Sequence, residues 1–257
     1  MSAELREQYL DLLKLTLTGL AEAEPTAHRV RNDGSVRVVP ADLGERNEGR
    51  DWPQNGLTMV GMKRLENVQA CIEDVLAQDV PGDLIETGVW RGGTSIFMRA
   101  VLKAHGIDDR RVFVADSFEG LPPPDDEQYP ADANTKLHEL EFLSVSLETV
   151  QDHFRRLGLL DDRVRFVKGW FRDTMPTLTG EQWSVIRLDG DLYESTMNVL
   201  ENLYPNLSAG GYVIVDDYNS LWYCRKAVTD YREAHGITDE IHEIDWTGAY
   251  WRKGDPG

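Results

Sequence analysis

The chain has 257 residues, 41% of them hydrophobic, enough to build one large α/β domain with a sizeable core. Its 45 acidic residues against 27 Lys and Arg give a formal charge of -18, a field that repels nucleic acid and anionic membranes and argues against both as partners. With no apolar run of membrane-spanning length, and no basic stretch followed by an apolar core over residues 1–20, a cytoplasmic protein is expected.

Residues 4–20 place Leu5, Tyr9, Leu12, Leu13, Leu17 and Leu20 on a stripe of period near 3.6, which predicts an amphipathic helix. Its apolar face must cover either its own fold or a second copy, so a homo-oligomer, dimer or higher, is one expectation. Residues 21–56 are poor in apolar side chains and are broken by Pro25, Pro40 and Pro53. They read as a long irregular lid segment. A second helix is expected over 65–76. Residues 1–80 are thus taken as N-terminal helices and lid of the same domain, and 81–257 as its core, with a second lid loop over 119–146 that contains Pro122-Pro-Pro124.

From Gly82 onward, strands and helices alternate. Strand patterns fall at 84–86, 112–115, 164–167, 184–188 and 212–215, followed by a helix over 223–235. The segments 240–244 and 249–252 close a terminal hairpin around Trp246-Thr-Gly248. That pattern predicts an α/β fold with a mostly parallel, seven-stranded sheet and an antiparallel C-terminal hairpin, which looks like the class I methyltransferase fold, Rossmann-like in topology. Cys71 and Cys224 sit far apart without metal-ligand spacing and read as reduced packing residues.

The stretch Gly82-Asp-Leu-Ile-Glu-Thr-Gly-Val-Trp-Arg-Gly-Gly-Thr-Ser95 reads as a buried strand, a glycine-rich turn and a helix start. Glu86 beside that turn repels a diphosphate, and the glycine spacing departs from the dinucleotide fingerprint. A cofactor with a cationic centre and an amino group fits better, and S-adenosylmethionine has both. Glu86 and Gly88 would line its methionine side, and Ser95 in the first turn of the helix is a further candidate at the cofactor. Asp116, at the end of the next strand, would accept from the ribose hydroxyls, with Ser117 and Phe118 at the adenosine edge. Gly169-Trp170-Phe171 follows the third strand, where an aromatic side chain packs on adenine or fills the core.

Strand ends carry the ligands in open α/β sheets, and two of them are acidic here: Arg187-Leu-Asp189-Gly-Asp191 and Val215-Asp216-Asp217-Tyr218. Two carboxylates about 4 Å apart repel by roughly 4 kcal/mol at an effective dielectric near 20. Asp189, Asp216 and Asp217 together therefore call for protons or a hard divalent cation, Mg²⁺ before Zn²⁺, with Mn²⁺ or Ca²⁺ left open. Asp191 alternates with Asp189 and is the weaker candidate, facing solvent or capping the helix that begins near Glu194.

These residues bring the chain to a resemblance. Tyr9-Leu-Asp-Leu-Leu13, Thr58-Met-Val-Gly-Met-Lys-Arg-Leu65, Ile85-Glu-Thr-Gly-Val-Trp-Arg-Gly-Gly93, Val114-Ala-Asp-Ser-Phe118, Gly169-Trp-Phe171, Leu188-Asp-Gly-Asp191 and Val215-Asp-Asp-Tyr218 resemble the macrocin O-methyltransferase family. Those enzymes use S-adenosylmethionine to methylate sugar hydroxyls of bacterial natural products. The resemblance implies Mg²⁺ held by Asp189, Asp216 and Asp217, and a cofactor site to which Thr58, Met59, Val60 and Thr87 contribute. It implies a small-molecule acceptor, either a nucleotide-linked sugar or a sugar already on an antibiotic-type scaffold. Asp189 is the expected general base, with His138 in the lid as a second choice. A catechol methyltransferase or a non-catalytic cofactor-binding regulator are the competing readings.

Overall fold

Residues 2–31 and 35–254 are described by the computed structural model. In chain order the elements are α1 (Ala3–Thr18), β1 (Thr26–Val30), β2 (Val36–Pro40), α2 (Leu43–Glu48), β3 (Trp52–Pro53), α3 (Met62–Ala77), β4 (Asp83–Thr87), α4 (Gly93–Ala104) and β5 (Val112–Asp116). Then follow α5 (Leu147–Arg156), β6 (Val164–Lys168), α6 (Phe171–Thr174), β7 (Trp183–Leu188), α7 (Tyr193–Leu203), β8 (Leu207–Val215), α8 (Trp222–Ala234), β9 (His242–Glu243) and β10 (Ala249–Arg252).

Seven strands form one sheet in the order β6-β5-β4-β7-β8-β10-β9, parallel from β6 to β8, with β10 antiparallel to both its neighbours. The expected sheet is therefore present. Its central strands are buried on both faces, which is why they read as apolar runs. Side chains alternate between two cores. Leu84, Val112, Val114, Val185 and Ile214 face α1, α3 and α4, whereas Ile85, Phe113, Ala115, Ile186 and Val213 face α7 and α8.

On the first of these faces the row one step further along breaks the apolar pattern. Glu86 lies in register with Arg187, and Asp216 follows two residues after Ile214. A charged row thus crosses β4, β7 and the exit of β8 at the end of the sheet where the loops gather.

Helix α1 keeps its Ser2 cap and buries Leu10, Leu13 and Leu17 against the α3 and α4 layer, while Leu5 and Leu12 project into solvent. Part of its apolar stripe thus covers its own fold, and Leu5 and Leu12 are left outside that contact. No described helix is long and apolar enough to cross a membrane. Cys71 and Cys224 are both free and buried, as expected.

Residues 21–56 are not an irregular segment. They form a three-stranded antiparallel sheet, order β2-β1-β3, with α2 between its second and third strands. The prolines that suggested breaks close the strands instead: Pro40 ends β2 opposite Thr26, and Pro53 ends β3 opposite Ala27. A buried cation of α2, Arg46, ties this layer to the segment before α3. Arg46 is 1% exposed, ion-pairs with Asp51 at 2.8 Å and donates to the Met59 carbonyl at 2.8 Å. Burial lowers its pKa to about 10, against the opposing pull of Asp51.

Candidate active site

The turn after β4 is shaped by close backbone approach. Gly88 has φ +87, and a Cβ there would lie 1.9 Å from the Asp189 carbonyl oxygen. The exits of β4 and β7 are therefore in backbone contact, joined also by the Asp189 amide donating to the Thr87 carbonyl at 2.9 Å. At the helix end of the turn, Gly93 lies under residues 57 and 58, with its amide donating to the Leu57 carbonyl at 2.9 Å. Thr58 is fixed there by a hydroxyl pair with Thr94 at 3.1 Å. That bridge carries Met59 to the cavity, a placement with no periodic signal in the sequence.

Above the turn opens a cavity of about 360 Å³, in the size range of small-molecule sites. Of the residues expected at the cofactor, Thr58, Met59, Glu86, Gly88, Asp116 and Ser117 line it, as do Trp170 and Phe171. The other four stand behind the wall. Val60 gives its carbonyl to Arg46, and Thr87 donates its hydroxyl to the Arg187 carbonyl. Ser95 donates to Glu86, and Phe118 packs against Phe166 in the core. Asp116 accepts the Val89 and Phe118 amides at 2.7 Å each, which fixes its carboxylate at the cavity edge. Burial still raises its pKa.

The charged row centres on Arg187, which is fully buried. Its Nη1 contacts Glu86 at 2.6 Å and Asp189 at 2.7 Å, and its Nη2 reaches Asp216. A second buried guanidinium, Arg64 in the first turn of α3, pairs with the other oxygen of Asp216 and with Asp245. Neither arginine was singled out from the sequence, although a cation inside a strand of otherwise apolar residues was a visible signal. Glu86 has its pKa pushed up to about 6, because burial outweighs the help of Arg187 and Ser95.

The structure brings together Asp189, Asp191 and Asp217, one carboxylate oxygen from each lying within 4.8 Å of the others. Asp191, the weaker candidate in sequence, joins the cluster because its backbone turns through φ +56. Asp216 lies next to the cluster, but both its oxygens are engaged by arginines. Burial and neighbouring carboxylates raise the pKa values of Asp189, Asp191 and Asp217. With Glu86, Asp216 and Asp245, six carboxylates face two guanidinium groups, a formal excess of four negative charges. All the donors are carboxylate oxygens, which suits a hard divalent cation.

The two stretches expected as lids supply the outer walls. Trp52 of β3 and Leu137 and Leu143 of the loop after β5 line the cavity, as does Trp90. The two stretches are joined: Phe142 stacks on His28 of β1 at 5.1 Å, and its carbonyl accepts the Trp90 indole N–H at 2.8 Å. Asp132 in the same loop is buried and accepts the amides of Tyr193 and Glu194, capping α7 two residues after Asp191. His138 is exposed and is not part of the cavity wall.

A family model described as macrocin-O-methyltransferase (TylF) matches residues 6–253. The chain is 54% identical over 253 residues to the 8-demethyl-8-(2,3-dimethoxy-alpha-L-rhamnosyl)-tetracenomycin-C 4'-O-methyltransferase of Streptomyces olivaceus, covering 98% of this chain and 95% of that one. It is 50% identical over 246 residues to the demethyldecarbamoylnovobiocin O-methyltransferase of Streptomyces niveus, covering 95% and 93%. The solved structure of the O-methyltransferase NovP superposes with a TM-score of 0.90 at 49% identity, covering 97% of this chain and 99% of that chain.

Proposed function

The chain belongs to the macrocin O-methyltransferase family, and from that premise we propose that it methylates a hydroxyl of a deoxysugar borne by an antibiotic-type scaffold. It is an O-methyltransferase with S-adenosylmethionine as donor. The observation that carries the acceptor reading is the match over nearly the whole chain to O-methyltransferases named for antibiotic glycosides; the backbone contact between Gly88 and Asp189 supports transfer at the carboxylate cluster, because it sets the glycine turn directly beside it.

When bound, S-adenosylmethionine would supply an activated methyl group, and Mg²⁺ would supply a Lewis acid that lowers the pKa of a sugar hydroxyl. Glu86, Gly88, Thr58 and Met59 would hold the donor on one side and Asp116, Ser117, Trp170 and Phe171 on the other. Asp189 and Asp217 belong both to the set implied by resemblance and to the set the geometry gathers, and they are the proposed cation ligands. Asp216 and Asp191 flank them. Asp189 would also take the hydroxyl proton, at the oxygen that Arg187 leaves free; its side chain keeps 26% exposure and so is reachable from the cavity.

The cavity's charge favours a finished glycoside over a nucleotide sugar. Its three arginines are each paired with carboxylates: Arg50 with Glu48, Arg64 with Asp216 and Asp245, and Arg172 with Glu194. No lysine or histidine is among the described lining residues. Only the Arg64 pairs are buried, but a diphosphate would have to compete with a carboxylate at each arginine and would face the carboxylate excess.

The test is a mass gain of one methyl group in reactions with S-adenosylmethionine, with and without Mg²⁺, across antibiotic glycosides, nucleotide deoxysugars and catechols. Metal-dependent gain on a glycoside supports the proposal. Gain on nucleotide sugars alone would refute the carrier assignment, and gain on catechols alone would refute the sugar.

A further inference from the structure

Arg64 is 4% exposed and directs its guanidinium at three partners. Nη1 pairs with Asp216, Nε donates to Asp245 at 3.1 Å, and Nη2 donates to the Gly49 carbonyl at 3.1 Å. These acceptors lie at the exit of β8, in the turn before β10 and at the C-cap of α2, three places distant in sequence. A planar fork serves three diverging acceptors at once, whereas an ammonium is a single point of charge. The fit is tight. A Cβ at Gly49 would lie 2.3 Å from Nη2, and one at Gly248 would lie 3.1 Å from the Arg64 Cδ. Trp246 extends the junction by donating its indole N–H to the Glu48 carbonyl at 2.9 Å, with the Arg50 guanidinium 4.5 Å from its ring.

We propose that Arg64 is a positioning residue for methyl transfer, holding the Asp216 carboxylate beside the cluster and, through the same group, holding the wall of residues 43–53 against the cavity. This rests on the divalent-cation reading above. A guanidinium bound to Asp216 competes with a cation for that carboxylate, so cluster occupancy and the seating of the Gly49 wall are linked, each biasing the other.

The test uses Mn²⁺ alone, titrated by calorimetry into the native protein and into Arg64→Gln, Arg64→Lys and Asp245→Asn, with amide exchange over residues 43–53 measured on the same samples. Arg64→Gln leaves Asp216 with one guanidinium, so Mn²⁺ binds about tenfold tighter while the wall amides exchange about tenfold faster. Arg64→Lys returns Mn²⁺ affinity to within about twofold of native by restoring the charge, yet leaves the wall loose, because one ammonium cannot also hold Gly49. Asp245→Asn keeps the Asp216 and Gly49 contacts, so Mn²⁺ affinity stays within about twofold of native and the wall amides loosen less than in Arg64→Gln.

A residue that merely supports folding would loosen the wall to the same degree in all three variants and would not tighten Mn²⁺ binding. Native protein that binds Mn²⁺, with Arg64→Gln binding equally or more weakly, would overturn the assignment. The same holds if Asp245→Asn loosens the wall as much as Arg64→Gln. Native protein that binds no Mn²⁺ would overturn the cation reading and this assignment with it.

Discussion

Replacing Arg187 by Met removes the cation from among Glu86, Asp189 and Asp216 while keeping most of the side-chain volume. Each contact, taken at about 4 Å and an effective dielectric near 20, is worth roughly 4 kcal/mol before desolvation is subtracted. Desolvating the guanidinium returns several of these, and breaking a buried ion pair from one side leaves a net loss of about 3–5 kcal/mol. That is a large fraction of the 5–15 kcal/mol typical of a domain. The loss depends on pH with a definite sign. A carboxyl whose folded pKa is raised favours the native state at low pH and loses that contribution as pH rises through the folded value. In the native chain Glu86 does this between its ordinary 4.5 and about 6, a change of about 2 kcal/mol. Without Arg187, Glu86 and Asp189 rise further, so the deficit of the variant grows from pH 5 to pH 8. Urea unfolding followed by tryptophan fluorescence, in metal-free buffer at both pH values, measures it. A variant as stable as the native chain at pH 8, or one with the same deficit at both pH values, would refute the reasoning.

Three further outcomes are expected. Asp189→Asn and Asp217→Asn each weaken Mn²⁺ binding by more than about tenfold in calorimetry; comparing Asp191→Asn with Asp216→Asn then identifies the third ligand, which is the one whose loss costs as much. Asp132→Ala removes a cap from α7 and lowers stability by about 1–2 kcal/mol in thermal unfolding; an unchanged transition would show that the two amides find other acceptors. Gly88→Ala forces the β4 and β7 exits apart and weakens S-adenosylhomocysteine binding by more than about tenfold in calorimetry, whereas native affinity would show that the turn tolerates a side chain.

The parallel strands were legible because burial on both faces leaves continuous apolar runs, and the acidic residues at their ends stood out against them. The sheet of residues 26–53 was not legible. Of β1 only Ala27 is fully buried, and β2 exposes most of its side chains, so neither shows strong alternation. Its organising residue, Arg46, works through carbonyls 13 and 14 positions away, and no periodicity encodes such contacts. Asp191 was undervalued for a different reason: it lies beyond the end of β7, where strand periodicity no longer places side chains, and a turn through positive φ at that residue sets it in the cluster. Arg187 and Arg64 show a different limit. Their types hinted at burial in unusual places, but only the register of β4, β7 and β8 places one guanidinium among three carboxylates.

Asp132 makes the loop after β5 more than a cover. The segment that lines the cavity with Leu137 and Leu143 also carries the cap of the helix that begins beside the carboxylate cluster. Any exchange of that loop for another, by recombination or by design, transfers part of the cavity lining together with a fastening for the helix beside the carboxylate cluster. A graft that keeps the aspartate at that position can therefore change the shape of the cavity and leave the helix start beside the cluster in place; a graft without it alters both at once.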